Sequence, residues 1–240
     1  MDGSAVESMK KVISEGLIVE IDKDKFSPLN LKKIIHDPLP ESLKISTLSG
    51  IVNYIKSLSA AEIASLLVSV ESTSLVSVYS MLNKETMSRK KFIIAQYDNR
   101  EPFQFGSFMD IDRFIIELKS RFVQSEDQNE ILRFSSKVTA GNTLTAADDG
   151  VSQSVEVKRG MSGALREKEL APSVVSLRPY RTFREIEQPA SVFIFRMRGN
   201  SDALPQCALF EADGGAWRIK AIQDIAAWLD NGLDGVTIIA

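Results

Sequence analysis

The 240-residue chain carries 29 Lys and Arg residues against 32 Asp and Glu residues, which gives a formal net charge of −3. This balance excludes the overall basic field of a protein that coats DNA, but it leaves room for a local basic surface. A single cysteine, Cys207, excludes an internal disulfide or a cysteine-rich zinc site, and a single histidine argues against a histidine-based metal centre or catalytic triad.

Patterns in the first part of the chain predict short elements. Residues 4–15 have the apolar spacing of a helix, and Leu17–Ile21 has the composition of a strand. The histidine, His36, stands in a proline-rich connection and is interpreted as a loop residue. Thr47 is a suitable N-cap for a helix that we expect to end near Ser57.

The clearest hairpin spans Leu66–Glu71 and Leu75–Leu82, where valines alternate with serines. This period of two predicts one apolar face and one face lined by serines. Lys91–Tyr97 adds a third strand, and because the three strands are close in sequence we expect an antiparallel meander.

Three phenylalanines precede an amphipathic helix predicted over Asp110–Phe122, with Glu117 on its solvent side. They are Phe103, Phe105 and Phe108. Such a cluster could form a base-stacking platform. We favour the interpretation that it belongs to the core, because phenylalanines beside an amphipathic helix usually do.

The middle of the chain combines another helix with extended segments. We predict a helix over Glu126–Phe134, a hairpin formed by residues 139–150 and Val151–Lys158, a mobile loop or arm at Gly160–Pro172, and a strand at Val174–Leu177.

The last quarter carries the most consistent pattern. Strand Ser191–Arg198 is predicted to start buried and end at a wet edge, and Ala208–Ala212 forms a second strand. A helix capped by Asp213 and ended by Asn231-Gly232 follows, and then a strand at Gly235–Ala240. Its expected buried stripe comprises Ile219, Ile222, Ala226, Leu229 and Leu233, widened by Ile225 and Trp228.

Together these elements predict an α+β fold in which antiparallel sheets and hairpins pack against a few amphipathic helices. We expect an N-terminal part, residues 1–135, and a C-terminal part, residues 136–240, or one single domain. The long loop at Gly160–Pro172 and the flat serine-lined face favour a homo-oligomer. No apolar run reaches the length of a membrane helix, and the first residues lack a signal-peptide core, so we expect no membrane contact and a cytoplasmic location.

One constellation resembles the minimal pattern of a metal-dependent nuclease. Asp149 precedes Glu156 and Lys158, and in such a site carboxylates hold Mg²⁺ while the lysine supports the attacking water. The pattern is short and common, and a solvated strand face explains it equally well. We therefore favour a protein without catalytic residues, metal or cofactor.

A second constellation is basic. Arg181 and Arg184 lie in a proline-framed turn, whereas Arg196 and Arg198 alternate along one strand, and together they could bind phosphates. Interleaved acidic residues make ion pairing on a solvated surface the alternative. A third feature, Asp213-Gly214-Gly215, could bind an anion at a helix start, but it lacks a phosphate-loop motif, so we favour a tight turn.

Several segments in this order resemble an uncharacterised family of bacteriophage and prophage proteins, and are also similar to the YfdQ-like prophage proteins. The segments are Leu39-Pro40 with Thr47–Val52, Phe103–Phe108, Asp148–Gln153, Pro179–Phe183 and Ala208–Trp217. The resemblance implies a phage accessory role in the host cytoplasm, beside replication or recombination genes, and brings no catalytic residues with it.

Three hypotheses of function follow. The leading one is a non-enzymatic, homo-oligomeric accessory protein that binds nucleic acid, or a phage or host replication partner. The alternatives are an anti-defence protein that sequesters a small anionic, nucleotide-type signal, and a metal-dependent nuclease.

Overall fold

The computed structural model describes residues 4, 7, 19–21, 24–26, 41–84, 87–98, 101–139, 143–148, 153–159, 165–199 and 205–240. The chain divides into two compact units, Met1–Glu41 and Ser42–Ala240. In the first unit, β1 (Val19–Ile21) and β2 (Asp24–Phe26) form an antiparallel pair. His36 and most of the helix predicted over residues 4–15 lie outside the described residues.

The second unit contains the remaining elements, whose bounds are as follows. The strands are β3 (Leu43–Ile45), β4 (Leu66–Ser72), β5 (Leu75–Ser80), β6 (Lys91–Gln96), β7 (Met109–Asp110), β8 (Thr143–Asp148), β9 (Gln153–Arg159), β10 (Leu165–Ala171), β11 (Val174–Leu177), β12 (Ser191–Arg198), β13 (Gln206–Glu211) and β14 (Thr237–Ile239). The helices are α1 (Leu48–Lys56), α2 (Ala60–Ile63), α3 (Ile111–Arg121), α4 (Glu126–Thr139) and α5 (Ala216–Gly232).

A five-stranded sheet with the order β14-β4-β5-β6-β3 forms one half of this unit. The predicted meander of β4, β5 and β6 is confirmed as antiparallel. The two outer strands differ from the antiparallel expectation, because β14 pairs with β4 and β3 pairs with β6 in parallel. Parallel neighbours must be far apart along the chain, so the local patterns gave no sign of these pairings.

Helices α1 and α5 cover one face of the five-stranded sheet. Leu48, Ile51 and Ile55 of α1 pack with Val68 and Val78 of the sheet in one hydrophobic cluster. Thr47 caps α1 as predicted, since its hydroxyl accepts a hydrogen bond from the N–H of Gly50 at 3.2 Å. On the opposite face the serines are not uniformly exposed, because Ser77 on the central strand is fully buried.

A four-stranded antiparallel sheet, β11-β12-β13-β7, forms the other half. Helices α3 and α4 pack on its inner face, where Phe114 and Phe134 contact Phe195. Phe103 and Phe105 join the same cluster, and the ring of Phe105 stacks on Phe193 with centroids 5.1 Å apart. The core interpretation therefore holds for these two phenylalanines.

Helix α4 runs five residues beyond its predicted end at Phe134, to Thr139. Ser125 is confirmed at its start, where the hydroxyl accepts a hydrogen bond from the N–H of Gln128 at 3.2 Å. The extension buries Val138, which lies one turn after Phe134 in the same cluster. Apolar spacing within a helix can thus continue through a segment that is polar on average.

The prediction of a loop or arm at Gly160–Pro172 is wrong for residues 165–171. Leu165–Ala171 is strand β10, which completes a three-stranded antiparallel sheet of order β10-β9-β8 by pairing along β9. The hairpin of β8 and β9 itself is confirmed. The sequence Leu-Arg-Glu-Lys-Glu-Leu is charged and lacks the apolar alternation by which a half-buried strand is recognised. The strand was therefore not predicted. The long loop therefore no longer supports self-association, which stays a prediction.

The sequence predicts the wrong side of the helix for one charged residue, Glu117, and for one apolar residue, Ile219. Glu117 is buried rather than solvated, and its carboxylate pairs with Arg113 at 3.2 Å and Arg121 at 2.8 Å. In α5 the buried residues are Trp217, Ala221, Ile225 and Leu229. Ile219, predicted to be buried, is 65% exposed.

None of the helices in the described ranges combines the length and the hydropathy needed to cross a membrane.

Candidate nucleic-acid interface

Strand β12 separates a buried face from an exposed face along its whole length. Phe193, Phe195 and Met197 point into the core, whereas Val192 and Arg198 are exposed on the other side. The prediction that this strand starts buried and ends at a wet edge is wrong for Val192, because the strand alternates from its first residue. One-sided packing by α3 and α4 is the physical reason.

Arg196 and Arg198 share the face of the four-stranded sheet that is turned away from α3 and α4, which we call the outer face. Cross-strand pairing places Arg196 opposite Ala208 and Arg198 opposite Gln206. The two arginines are separated by two residues of one strand, which corresponds to about 7 Å between their backbones. Burial is partial for Arg196, and Arg198 is exposed.

Apolar side chains form a row across the same face. Pairing aligns Val174 with Ile194 and Ile194 with Phe210, and the ring of Phe108 lies edge-on to Phe210 at 6.0 Å. Val174 is 64% exposed. Ile194, Phe210 and Phe108 are half-buried, so the row forms a partly exposed apolar band beside the two arginines, which makes this face a candidate contact surface.

The guanidinium of Arg198 is held in a defined position on this surface. Its central carbon lies 4.1 Å from the centroid of the Phe108 ring, within the range of a cation–π contact. Its Nε donates a hydrogen bond to Oε1 of Gln206 at 2.9 Å, and the amide of Gln206 donates to Asp110 at 3.2 Å. The side chain is therefore ordered before any ligand arrives.

Arg181 does not lie on the outer face with Arg196 and Arg198. Its guanidinium lies on the buried side of β12, 3.6 Å from the ring of Trp217, and its Nη1 donates to Glu211 at 2.6 Å. Its Nη2 also donates to Ser191. Only 8% of the side chain is exposed, and burial lowers the pKa of Arg181 to about 10 against the opposing effect of Glu211.

Arg184 lies with Arg181 rather than with the strand arginines. It is exposed, and its guanidinium stacks on the ring of Tyr180 at 3.6 Å. It lines a small cavity of about 290 Å³ together with Phe105 and Arg121. The four arginines named from the sequence thus form two groups, and only Arg196 and Arg198 lie on the outer face.

The nuclease constellation is only partly visible. Glu156 and Lys158 both lie in β9, opposite Lys168 and Arg166 of β10, and Asp149 lies outside the described residues. No cluster of three or more metal-binding side chains occurs in the part of the chain that the structure describes. The nuclease hypothesis stays untested at these positions.

The turn before α5 has the form of a tight strand-to-helix connection. Gly214 and Gly215 adopt positive φ angles of 62° and 83°, a conformation that favours glycine. The helix N-cap is Gly215 rather than Asp213, but the Asp213 carboxylate accepts a hydrogen bond from the N–H of Gly215 at 3.0 Å. A carboxylate already occupies this helix start, which leaves no place for a bound anion.

Sequence reasoning found the two arginines but missed their aromatic neighbours. Phe108 was grouped with Phe103 and Phe105 by spacing alone, although the short strand β7 that follows turns it to the opposite side of the sheet. The sequence gives no signal for Phe210, because Cys207, Ala208, Leu209 and Phe210 are all apolar, and its place beside Ile194 follows only from the strand pairing.

The fold and this site define an α+β protein whose four-stranded sheet carries arginines and phenylalanines together on its outer face. Comparison with known proteins adds no further assignment, since no protein-family model, curated protein or solved structure matches the chain significantly.

Proposed function

We propose that the protein is a non-enzymatic accessory protein that binds single-stranded nucleic acid on its outer face. The observation that supports this proposal is the juxtaposition of Arg198, Phe108 and Phe210 beside Arg196 on one face of the four-stranded sheet. Sheets that bind single strands combine these two elements, cations for the phosphates and flat side chains for the bases.

The arginines supply the phosphate contacts. Guanidinium groups bind phosphate oxygens through paired hydrogen bonds, and an alternating pair on one strand can reach neighbouring phosphates of an extended chain. The neutral amide of Gln206 separates Arg198 from Asp110, so the guanidinium is not paired directly with that carboxylate. A protein with a net negative charge can therefore present a locally positive surface.

The aromatic residues supply the base contacts. The guanidinium of Arg198 lies on the Phe108 ring, and Arg198 is exposed, so the second face of its planar group is accessible to a base. Bases stack on guanidinium planes and on aromatic rings alike. Paired bases of a duplex are not accessible for such stacking, and we therefore expect single strands to be preferred.

Phosphate contacts and stacking of this kind do not distinguish one nucleotide sequence from another. Phosphate binding is independent of sequence, and stacking discriminates bases only weakly. The proposal is thus a protein that binds exposed single strands through a local surface rather than one that selects a site. This role agrees with the phage accessory role that the resemblance implies.

The test is a titration of fluorescently labelled oligothymidylate and of a duplex of equal length against wild type and Arg196→Ala/Arg198→Ala. The control is Arg89→Ala/Arg133→Ala, which removes the same charge from two exposed arginines outside the outer face. We expect the single strand to bind more tightly than the duplex. Loss of two phosphate contacts should reduce the slope of log affinity against log salt by about 1.4 in the first variant only.

Equal binding by all three proteins would refute the site, and no binding by wild type at low salt would refute the function. Light scattering on the same samples addresses a protein partner. If wild type is an oligomer that dissociates in the Arg196→Ala/Arg198→Ala variant, the outer face is a contact between copies of the chain. That result would overturn the nucleic-acid assignment.

A further inference from the structure

A pocket of about 280 Å³ lies where β12 begins, at the opposite end of this strand from Arg198. Ser176 and Val192, which are paired across β11 and β12, are both exposed on the outer face and line the pocket. The remaining wall comes from Asp213 and the start of α5. The pocket is therefore continuous with the outer face.

We propose that this pocket receives one unpaired base of a single strand bound on the outer face, and that Asp213 selects bases with an exocyclic amino group. The inference rests on the proposed function. It adds to that function a preference among bases, which phosphate contacts and stacking do not provide.

The spacing along β12 fits an extended strand that reaches the pocket. Arg196 and Arg198 are about 7 Å apart, and Val192 lies four residues before Arg196, which corresponds to about 13 Å. A strand whose phosphates follow the arginines at this interval enters the pocket about two nucleotides beyond Arg196. The half-buried Ile194 and Phe210 lie in between and offer an apolar surface to the intervening base.

The size and walls of the pocket suit a base rather than a whole nucleotide. Apolar wall atoms come from Ala190, Val192, Ala216 and Trp217. The volume lies at the low end of the range of about 300–1,000 Å³ that small-molecule sites span. A planar base fits such a pocket, while its sugar and phosphate stay outside.

One half-buried carboxylate determines which base is bound. Oδ1 of Asp213 accepts a hydrogen bond from the N–H of Gly215 at 3.0 Å, and the hydroxyl of Ser191 and the N–H of Trp217 also donate to this carboxylate. A carboxylate has about four acceptor positions, so these three donors leave one for a ligand. A phosphate is repelled by this charge, whereas an N–H of a base is attracted.

An acceptor of this kind discriminates among bases. Cytosine, adenine and guanine carry an amino group, and carboxylates accept hydrogen bonds from such groups, as in contacts of Asp and Glu with cytosine. Thymine and uracil offer only N3–H, which is flanked by two carbonyl oxygens that a carboxylate repels. A base held in a duplex cannot enter the pocket, so the preference applies to single strands.

Lys220 lies at the rim of the pocket and suits the phosphate of the bound nucleotide. Its side chain is 62% exposed and pairs with Asp224 one turn further along α5. Exposed pairs at this spacing contribute little to stability, so the ammonium can turn to a phosphate at small cost. The pocket thus offers a cation outside for the phosphate and a carboxylate inside for the base.

The experiment measures fluorescence anisotropy with labelled oligodeoxycytidylate, oligodeoxyuridylate and oligodeoxythymidylate of equal length at pH 8, where cytosine is uncharged. Uracil and thymine differ by a methyl group, whereas cytosine carries an amino group where uracil has an oxygen. We expect wild type to bind oligodeoxycytidylate about tenfold more tightly than the other two, the scale of one hydrogen bond to a charged group.

Two variants should remove this preference by different means. Asp213→Asn replaces one acceptor oxygen by a donor, and Ala216→Leu fills the pocket but keeps the carboxylate. Their controls are Asp230→Asn and Ala227→Leu, which make the same changes at exposed positions of α5 outside the pocket. The readout is the ratio of the two affinities, so a general effect of charge on all strands does not enter. Circular dichroism melts establish that each variant is folded.

Equal affinity of wild type for oligodeoxycytidylate and oligodeoxyuridylate, with both strands bound, would overturn this inference and leave the proposed function intact. A preference that persists in Asp213→Asn or in Ala216→Leu would also overturn it, because the selecting group would then lie elsewhere. If wild type binds none of the three strands at low salt, the proposed function fails and this inference fails with it.

Discussion

Three isoleucines of α5 permit a test of its packing in which the chemistry of the substitution is constant. Ile225 is fully buried, Ile222 is half-buried against the same cluster, and Ile219 is 65% exposed. Replacement by alanine removes three carbon atoms in each case. Only the environment of those atoms differs.

The expected cost follows from burial. At Ile225 the lost transfer free energy is about 2.4 kcal/mol, from about 0.8 kcal/mol for each of the missing carbons. A residual cavity adds to this, so the free energy of unfolding should fall by about 3–4 kcal/mol. At Ile219 little burial is lost, and alanine favours the helix by a few tenths of a kcal/mol, so stability should be unchanged or slightly higher.

The assay is urea unfolding followed by circular dichroism, supported by thermal melts. For a chain of this size, Ile225→Ala should lower Tm by about 10 °C. Ile222→Ala should fall between the other two variants, with unfolding slopes that match wild type. A cost at Ile219 equal to that at Ile225 would refute the assigned face of the helix and restore the stripe predicted from the sequence.

Two further predictions concern single residues. Cys207 is fully buried, and burial raises the pKa of its thiol to about 12, so a chromogenic disulfide reagent at pH 8 should leave the native protein unmodified and react completely in guanidinium; rapid modification without denaturant would contradict its burial. Burial raises the pKa of Asp213, but hydrogen bonds from Ser191 and from the backbone of Gly215 and Trp217, together with the charge of Arg181, outweigh it, so the pKa is lowered overall. The stabilisation of the folded state by the Asp213 carboxylate is therefore present above about pH 4 and is lost as the pH falls further. Asp213→Ala should lower the free energy of unfolding by about 1 kcal/mol at pH 7 and by progressively less in acid. A difference in unfolding free energy between variant and wild type that stays constant in urea melts from pH 7 to pH 2 would contradict this sign.

Local patterns predicted most elements because the information that defines them is local. The N-cap at Thr47, the valine–serine alternation of the β4–β5 hairpin and the Asn231-Gly232 helix end each depend on a few adjacent residues. The boundaries of these elements are accordingly close to those predicted. An α+β fold follows from the same elements.

The features that sequence reasoning missed depend on contacts distant in sequence. Strand β3 exists because β6 supplies a parallel partner, and β10 exists because β9 supplies an antiparallel one. Glu117 is buried because arginines four residues away on either side satisfy its charge. In the candidate sites, the separation of Arg181 from Arg196 could not be read from spacing, since it depends on which side of β12 the segment around Thr182 crosses.

The parallel pairing of β14 with β4 has a consequence for how the protein is made. Core residues of the four-stranded half all lie between Phe103 and Leu209, whereas the five-stranded half needs residues before Tyr97 and after Thr182. During synthesis on a ribosome, the four-stranded half can therefore fold while the apolar face of β4 and β5 is not yet covered by α5. At that stage β4 also lacks its edge partner β14. Unfinished sheet edges of this kind are prone to aggregate, and their late closure slows folding. The five-stranded half, whose first residues are made earliest, is therefore the last to be completed.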